Sequence, residues 1–221
     1  CYFNGSNWRA IGVSSGGGSG WGLTGNSGTT AGSNYVGTSD TTPLYLGVAG
    51  YPVALFGTVN NASVGSTLGA TGNYSFTVGD GAMASARHSI AMVSAAVANN
   101  DYAVAIGRAA RAVGQSSFAI GTEDTATGWY STAMGVNTNS VGTGSTAIGY
   151  STISKARTST VIGEMNDNSD SPSPYTQDPS DRIFQIGNGN IGTGDRSNAM
   201  TVLRNGNVGK GTTTPAYPLD V

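Results

Sequence analysis

The chain has 221 residues, 35 of them Gly; Gly, Ser, Thr and Asn together supply 105, charged residues make up 10%, and the formal net charge is −2. Gly at this density costs about 1 kcal/mol per helical position against Ala, and no G-X-Y period accompanies it, so long helices and collagen are excluded. A hydrophobic fraction of 38% at so low a net charge also separates the chain from solvated coils, and its 10 Lys and Arg form no cluster that would mark nucleic acid or an anionic membrane as a partner.

In chain order, Tyr2-Phe3-Asn4-Gly5 followed by Trp8-Arg9-Ala10-Ile11 predicts a hairpin with an Asn-Gly turn. Cys1 admits two readings, a lipid-modified N-terminus and the boundary of a fragment; a hairpin entered partway through its first strand favours the second. One Cys makes no disulfide framework. Residues 12–42 are rich in Gly, Ser and Thr, with Trp21 and Tyr35 as isolated anchors, and Gly16–Gly20 reads as a flexible connection. Pro43-Leu44-Tyr45-Leu46 and Pro52-Val53-Ala54-Leu55-Phe56 then predict short strands.

From Asn61 to Gly163 one phrase recurs every 14 residues: Asn61-Ala-Ser-Val-Gly65, Ser75-Phe-Thr-Val-Gly79, Ser89-Ile-Ala-Met-Val93, Ala103-Val-Ala-Ile-Gly107, Ser117-Phe-Ala-Ile-Gly121, Ser131-Thr-Ala-Met-Gly135, Ser145-Thr-Ala-Ile-Gly149 and Ser159-Thr-Val-Ile-Gly163. Eight copies in register, with only Val93 replacing the closing Gly, define a solenoid of two short strands per turn. The large apolar column before the Gly (Val64, Val78, Met92, Ile106, Ile120, Met134, Ile148, Ile162) is expected to face inward. The small column before it (Ser63, Thr77, Ala91, Ala105, Ala119, Ala133, Ala147, Val161) is expected on the opposite side, where another backbone approaches. A second small column follows the Gly by five residues, from Ala70 to Ser154, and the glycines are expected to supply corners with φ > 0. So thin a coil buries little by itself, which predicts packing against copies of itself.

After Gly163, residues 166–181 carry Pro172, Pro174 and Pro179 with Asp167, Asp170, Asp178 and Asp181, and predict a loop or insertion. Arg182–Ile186 and Ala199–Leu203 read as strands, Asn205–Val208 as a turn, and the chain is expected to continue beyond Val221.

The phrase Ser-x-Ala-Ile-Gly, with small residues at the following turn, resembles the head repeats of YadA-like trimeric autotransporter adhesins over roughly residues 60–165. The resemblance implies an all-β, left-handed parallel β-roll, three copies packed as an intertwined trimer, and a rod that sticks to host surfaces. In the flanks, Trp21–Asn26, Asn34–Asp40 and Asn205–Pro215 are similar to segments of Bacteroidetes-type surface and tail-fibre proteins, in which the last phrase often precedes a trimerising or self-cleaving chaperone region. Lys210 stands where that phrase usually has an apolar residue, and these 221 residues include no anchor barrel or coiled-coil stalk that would point to autotransporter export.

Catalytic chemistry finds little support. His88 is the single His and reads as a turn residue; Gly187–Gly192 matches G-x-G-x-x-G, but a strand-like stretch follows where a phosphate site needs a helix. The four Asp of residues 166–181 lack EF-hand spacing, and Glu123-Asp124 reads as surface charge. Thr132, Thr146 and Thr160 form a short ladder whose column continues through Phe118, Val104 and Ile90, which favours packing over ice binding. Tyr102, Trp129, Tyr130 and Tyr150, with Arg108 and Arg111, are placed at turns and are the candidates for surface binding.

The expectation is therefore a parallel β-solenoid with short β-hairpin flanking segments: an N-terminal Gly-rich β segment (1–59), the β-roll (60–165), a Pro/Asp-rich loop (166–181) and a C-terminal β segment (182–221) leading to a downstream region. Its expected role is a non-enzymatic segment of an extracellular homotrimeric fibre, adhesin or tail fibre, with a glycan or protein receptor on a host or cell surface. No cofactor, metal, nucleic acid or direct membrane insertion is expected. A purely structural spacer is the alternative.

Overall fold

The computed structural model describes residues 2–3, 8–9, 42–57, 62–64 and 69–221. The anchors Trp21 and Tyr35 and the stretch Gly16–Gly20 lie outside the described residues. The chain divides into two units, Cys1–Asp40 and Thr41–Val221. In the first, β1 (Tyr2–Phe3) pairs antiparallel with β2 (Trp8–Arg9), Tyr2 opposite Arg9 and Phe3 opposite Trp8, as the hairpin pattern predicts.

The second unit begins with the antiparallel hairpin β3 (Leu44–Val48) and β4 (Tyr51–Phe56), turned at Ala49 and Gly50, both with positive φ. It continues as a solenoid whose turns from Phe76 to Ser154 each place one strand in each of two sheets, and the strands after Ser154 all join the larger one. Along the chain the strands are β5 (Ala62–Val64), β6 (Phe76–Val78), β7 (Met83–Ala84), β8 (Ile90–Met92), β9 (Val97–Ala98), β10 (Val104–Ile106), β11 (Arg111–Ala112), β12 (Phe118–Thr122) and β13 (Thr125–Ala126). Then come β14 (Thr132–Val136), β15 (Asn139–Ser140), β16 (Thr146–Tyr150), β17 (Ile153–Ser154), β18 (Thr160–Glu164), β19 (Arg182–Asn188), β20 (Asn198–Leu203), β21 (Val208–Lys210) and β22 (Leu219–Asp220). No helix occurs among the described residues.

The larger sheet runs β3-β4-β5-β6-β8-β10-β12-β14-β16-β18-β19-β20-β21-β22, and the smaller one β7-β9-β11-β13-β15-β17. From β5 to β19 every pairing in the larger sheet is parallel, and up to β18 the register step is 14 residues, so Ala91, Ala105, Ala119, Ala133 and Ala147 stack in one row. Between β18 and β19 the step lengthens: Thr160 lies opposite Phe184, and residues 166–181 form the strand-free insertion that their Pro content predicts. An antiparallel meander, β19-β20-β21, closes this end, as β3 and β4 close the other.

The interior reverses the sequence expectation. The small column is the core: Ala91, Ala105, Ala119, Ala133, Ala147 and Val161 have no exposure, and they meet Ala84, Ala98, Ala112 and Ala126 from the smaller sheet, which have none either. The large column faces outward, with Met134 37% and Ile148 40% exposed. The reason is the 14-residue perimeter: strands of two to five residues leave the sheets so close that an Ala methyl or a Ser hydroxyl fills the gap. Alternation along each strand then sends its large neighbours out.

The corners also differ from expectation. Positive φ recurs every seven residues, at Tyr74, Gly81, His88, Ala95, Tyr102, Ala109, Ser116, Glu123, Tyr130, Asn137, Gly144, Ser151, Thr158 and Met165, and most of these are not Gly. An L-residue in this region costs about 1–2 kcal/mol, and the ladder of hydrogen bonds continues through the corners: the amides of Tyr102, Ser116 and Tyr130 donate to the carbonyls of Arg87, Asp101 and Gln115. The closing glycines do a different job. At Gly107, Gly121, Gly135 and Gly149, φ lies between +128° and +138°, and a Cβ would come within 2.0 Å of the next turn's carbonyl oxygen.

Candidate functional site

Three surface features follow from this register. The first is the outer face of the larger sheet. Phe76, Ile90, Val104, Phe118, Thr132, Thr146 and Thr160 form one row, Val78, Met92, Ile106, Ile120, Met134, Ile148 and Ile162 the next, and all are half-buried or exposed. Seven rungs at about 4.8 Å make a stripe roughly 30 Å long. A contiguous apolar stripe of this extent on a small protein marks an interaction surface. The Thr ladder is the continuation of the Phe/Val/Ile row, as its column predicts.

The second feature is a corner. Tyr74, His88 and Tyr102 leave successive rungs from the same left-handed conformation, with φ of 57–61°. Their rings stack at centroid distances of 4.9 and 5.1 Å, 6° from parallel. Arg87 lies 5.6 Å from the Tyr102 ring, and its guanidinium pairs with Asp101 at 3.0 Å. Ser116 (φ 53°) occupies the next rung and Tyr130 (φ 59°) the one after, with the exposed Trp129 beside it.

The third is the insertion, which is tied down by its own carboxylates. Arg182, almost fully buried, donates to Asp167 and to the Thr213 carbonyl at 3.1 Å, with Asp170 3.9 Å away. Lys155 reaches Asp170 and the backbone of the loop, Arg204 pairs with the buried Asp181 at 3.3 Å, and the Thr143 amide donates to the Pro174 carbonyl. Burial pushes the Asp167 carboxyl up, but the Ser169 hydroxyl and amide and the Arg182 guanidinium outweigh it and hold it below the usual carboxylate range. The Ser180 hydroxyl and amide do the same for the exposed Asp178. The four Asp therefore serve as internal partners, and no group of three or more His, Cys, Asp or Glu side chains placed to hold a metal occurs among the described residues.

Residues 96–123 and 126–152 match, as two copies, the family model of the YadA head domain repeat. Two consecutive stretches of the solenoid are thus similar to the YadA head repeat. No curated protein and no solved structure matches the chain. The matched stretches span β9 to β16, and the same register runs beyond them, from β5 to β18.

The six candidate binding residues separate into different places. Tyr102, Trp129 and Tyr130 share the aromatic corner. Arg108 pairs with Glu123 at 2.7 Å, both exposed. Arg111 lies within β11 and Tyr150 at the end of β16, so neither is a turn residue. His88 is a corner residue as predicted, and its place in the ring stack was written in the 14-residue spacing of Tyr74, His88 and Tyr102. Asp124 corrects the reading of Glu123-Asp124 as surface charge: Glu123 points out, but Asp124 is fully buried. Its carboxylate accepts from the Gly135 amide (2.9 Å), the Thr138 amide (2.8 Å) and the Thr138 hydroxyl (2.7 Å), fastening one head repeat to the next. Gly187–Gly192 leads from β19 into a turn before β20, with no helix to hold a phosphate.

Proposed function

We propose that the chain is one protomer of a trimeric, non-enzymatic fibre segment exposed outside the cell or particle that bears it, and that it mediates attachment to a cell or host surface. The observation that carries this reading is the outward apolar stripe on head repeats. Rows of Ile, Met, Val and Phe on a roll whose interior is built mainly from Ala, Ser and Thr are explained by copies of the chain covering one another's outer faces. The copy number of three comes from the resemblance of the repeats. Attachment in place of spacing is supported by the corner, because exposed Tyr and Trp gathered on one edge are surplus to a spacer and suited to recognition.

The test is adhesion of the assembled chain. Latex beads coated with it should bind cultured epithelial cells or bacterial cells saturably, and free chain should compete. Beads that bind neither, from a preparation shown by sedimentation to be assembled, leave the spacer reading in place of attachment.

A further inference from the structure

We propose that the rung of Ser116 is a binding slot for a pyranose ring of a surface glycan, held between the rings of Tyr102 and Tyr130. The inference rests on the attachment reading and names its ligand class. The corner column is a ladder of side chains that leave the backbone in the same way at every rung, with φ of 53–61° from Tyr74 to Tyr130. Where rings occupy successive rungs they stack: His88 sits 4.9 Å from Tyr74 and 5.1 Å from Tyr102, nearly parallel to both. His88 thus fills a gap between two tyrosines. Two rungs further along, Tyr102 and Tyr130 flank an equivalent gap, two rungs or about 10 Å high, and the residue between them is Ser116, too short to fill it.

A ring lodged there lies about 5 Å from each tyrosine, the spacing that His88 keeps from its neighbours. That separation suits a puckered, saturated ring with axial hydrogens on both faces, which is thicker than a flat aromatic one. The surroundings are those of a sugar site. Ser116 lies between the two tyrosines in the column, Gln115 precedes it, and Trp129 precedes Tyr130. Tyr102 and Tyr130 are 45% and 61% exposed, so a ligand enters from solvent and both phenol edges remain available. Aromatic faces take up the C–H faces of a pyranose while polar groups at the rim take up its hydroxyls.

Ser116→Tyr tests the slot by filling it. The fold accepts a ring at this backbone conformation, since Tyr74, His88, Tyr102 and Tyr130 all adopt it. Saturation-transfer NMR on the assembled full chain, with methyl pyranosides of glucose, galactose, mannose and N-acetylglucosamine as probes, should show transfer to the ring C–H protons of at least one sugar. The signal should fall at least tenfold in Ser116→Tyr and in Tyr130→Ala, and persist in Tyr175→Ala, a control at an exposed tyrosine of the insertion. No transfer to any of the four sugars, or transfer unchanged in Ser116→Tyr, overturns the slot. The bead assay separates this failure from that of the attachment reading: beads of Ser116→Tyr that adhere as well as the unmodified chain remove the slot and leave attachment standing.

Discussion

Replacing Gly135 by Ala probes the feature on which the stacking of turns depends. A Cβ on Gly135 would lie 2.0 Å from the Gly149 carbonyl oxygen, against 3.4 Å or more for ordinary contact, and the obstacle is backbone hydrogen-bonded into the sheet. The residue also has φ of +138°, a conformation that costs a side-chain-bearing residue about 1–3 kcal/mol. Moving the carbonyl by more than 1 Å disturbs one or two ladder hydrogen bonds at about 0.5–1.5 kcal/mol each, for a total of roughly 1.5–6 kcal/mol with the conformational cost. Gly206→Ala is the matched control: φ is +92° and nothing lies within 4 Å of the added Cβ, so only the conformational cost of about 1–2 kcal/mol remains. Thermal unfolding followed by circular dichroism should show Gly135→Ala losing clearly more than Gly206→Ala, at about 2–4 °C per kcal/mol for a chain of this size. Equal losses would refute the argument that turn-to-turn contact, and not φ alone, reserves this column for Gly. Val93 is the natural exception, and its φ of +80° sets it apart from the +128° to +138° of Gly107, Gly121, Gly135 and Gly149.

Ala119→Leu, placed in a site with no exposure, should cost at least 1–3 kcal/mol by overpacking in urea titrations, whereas an inward Ile120 would make Ile120→Ala the costlier change in an unassembled chain. Asp124→Ala strands two backbone amides and a hydroxyl in the interior and should cost about 2–4 kcal/mol on the same titration. The Asp167 carboxyl titrates lower folded than unfolded, so its contribution is present above the usual carboxylate value and is lost as pH falls through the depressed one. Acid titration below about pH 4 should therefore loosen the insertion, and Asp167→Asn should flatten that leg of the stability profile; an unchanged acid leg would contradict the hold that Ser169 and Arg182 have on this carboxylate.

The period, the strand positions and both flanking hairpins were legible because a 14-residue repeat aligns every column with itself. Which side was interior was not, because alternation along Phe118-Ala119-Ile120 says that Phe118 and Ile120 share a face without saying which face that is. The answer depends on the gap between the two sheets, set by the short perimeter of the turn, and a gap one methyl wide admits Ala119 and rejects Ile120. The same columns carried the signal for Asp124. Its column reads Ala82, Ala96, Ala110, Asp124, Thr138, Thr152 and Asn166, and all seven are buried; of the polar members, Asp124, Thr138 and Asn166 fasten turns by side-chain hydrogen bonds. The aromatic corner was half legible: Tyr102 and Tyr130 stood out as residues, but the ring stack and the short Ser116 between them needed the register.

The central claim is that the outward Ile, Met and Phe rows are the surface on which copies of this chain meet. Sedimentation equilibrium of the chain measures it directly. The account predicts a mass of three times the 22.1 kDa protomer, falling to that of one in the double substitution Ile120→Lys and Ile148→Lys. A folded protomer that sediments alone at micromolar concentration, or a trimer indifferent to both lysines, would contradict it.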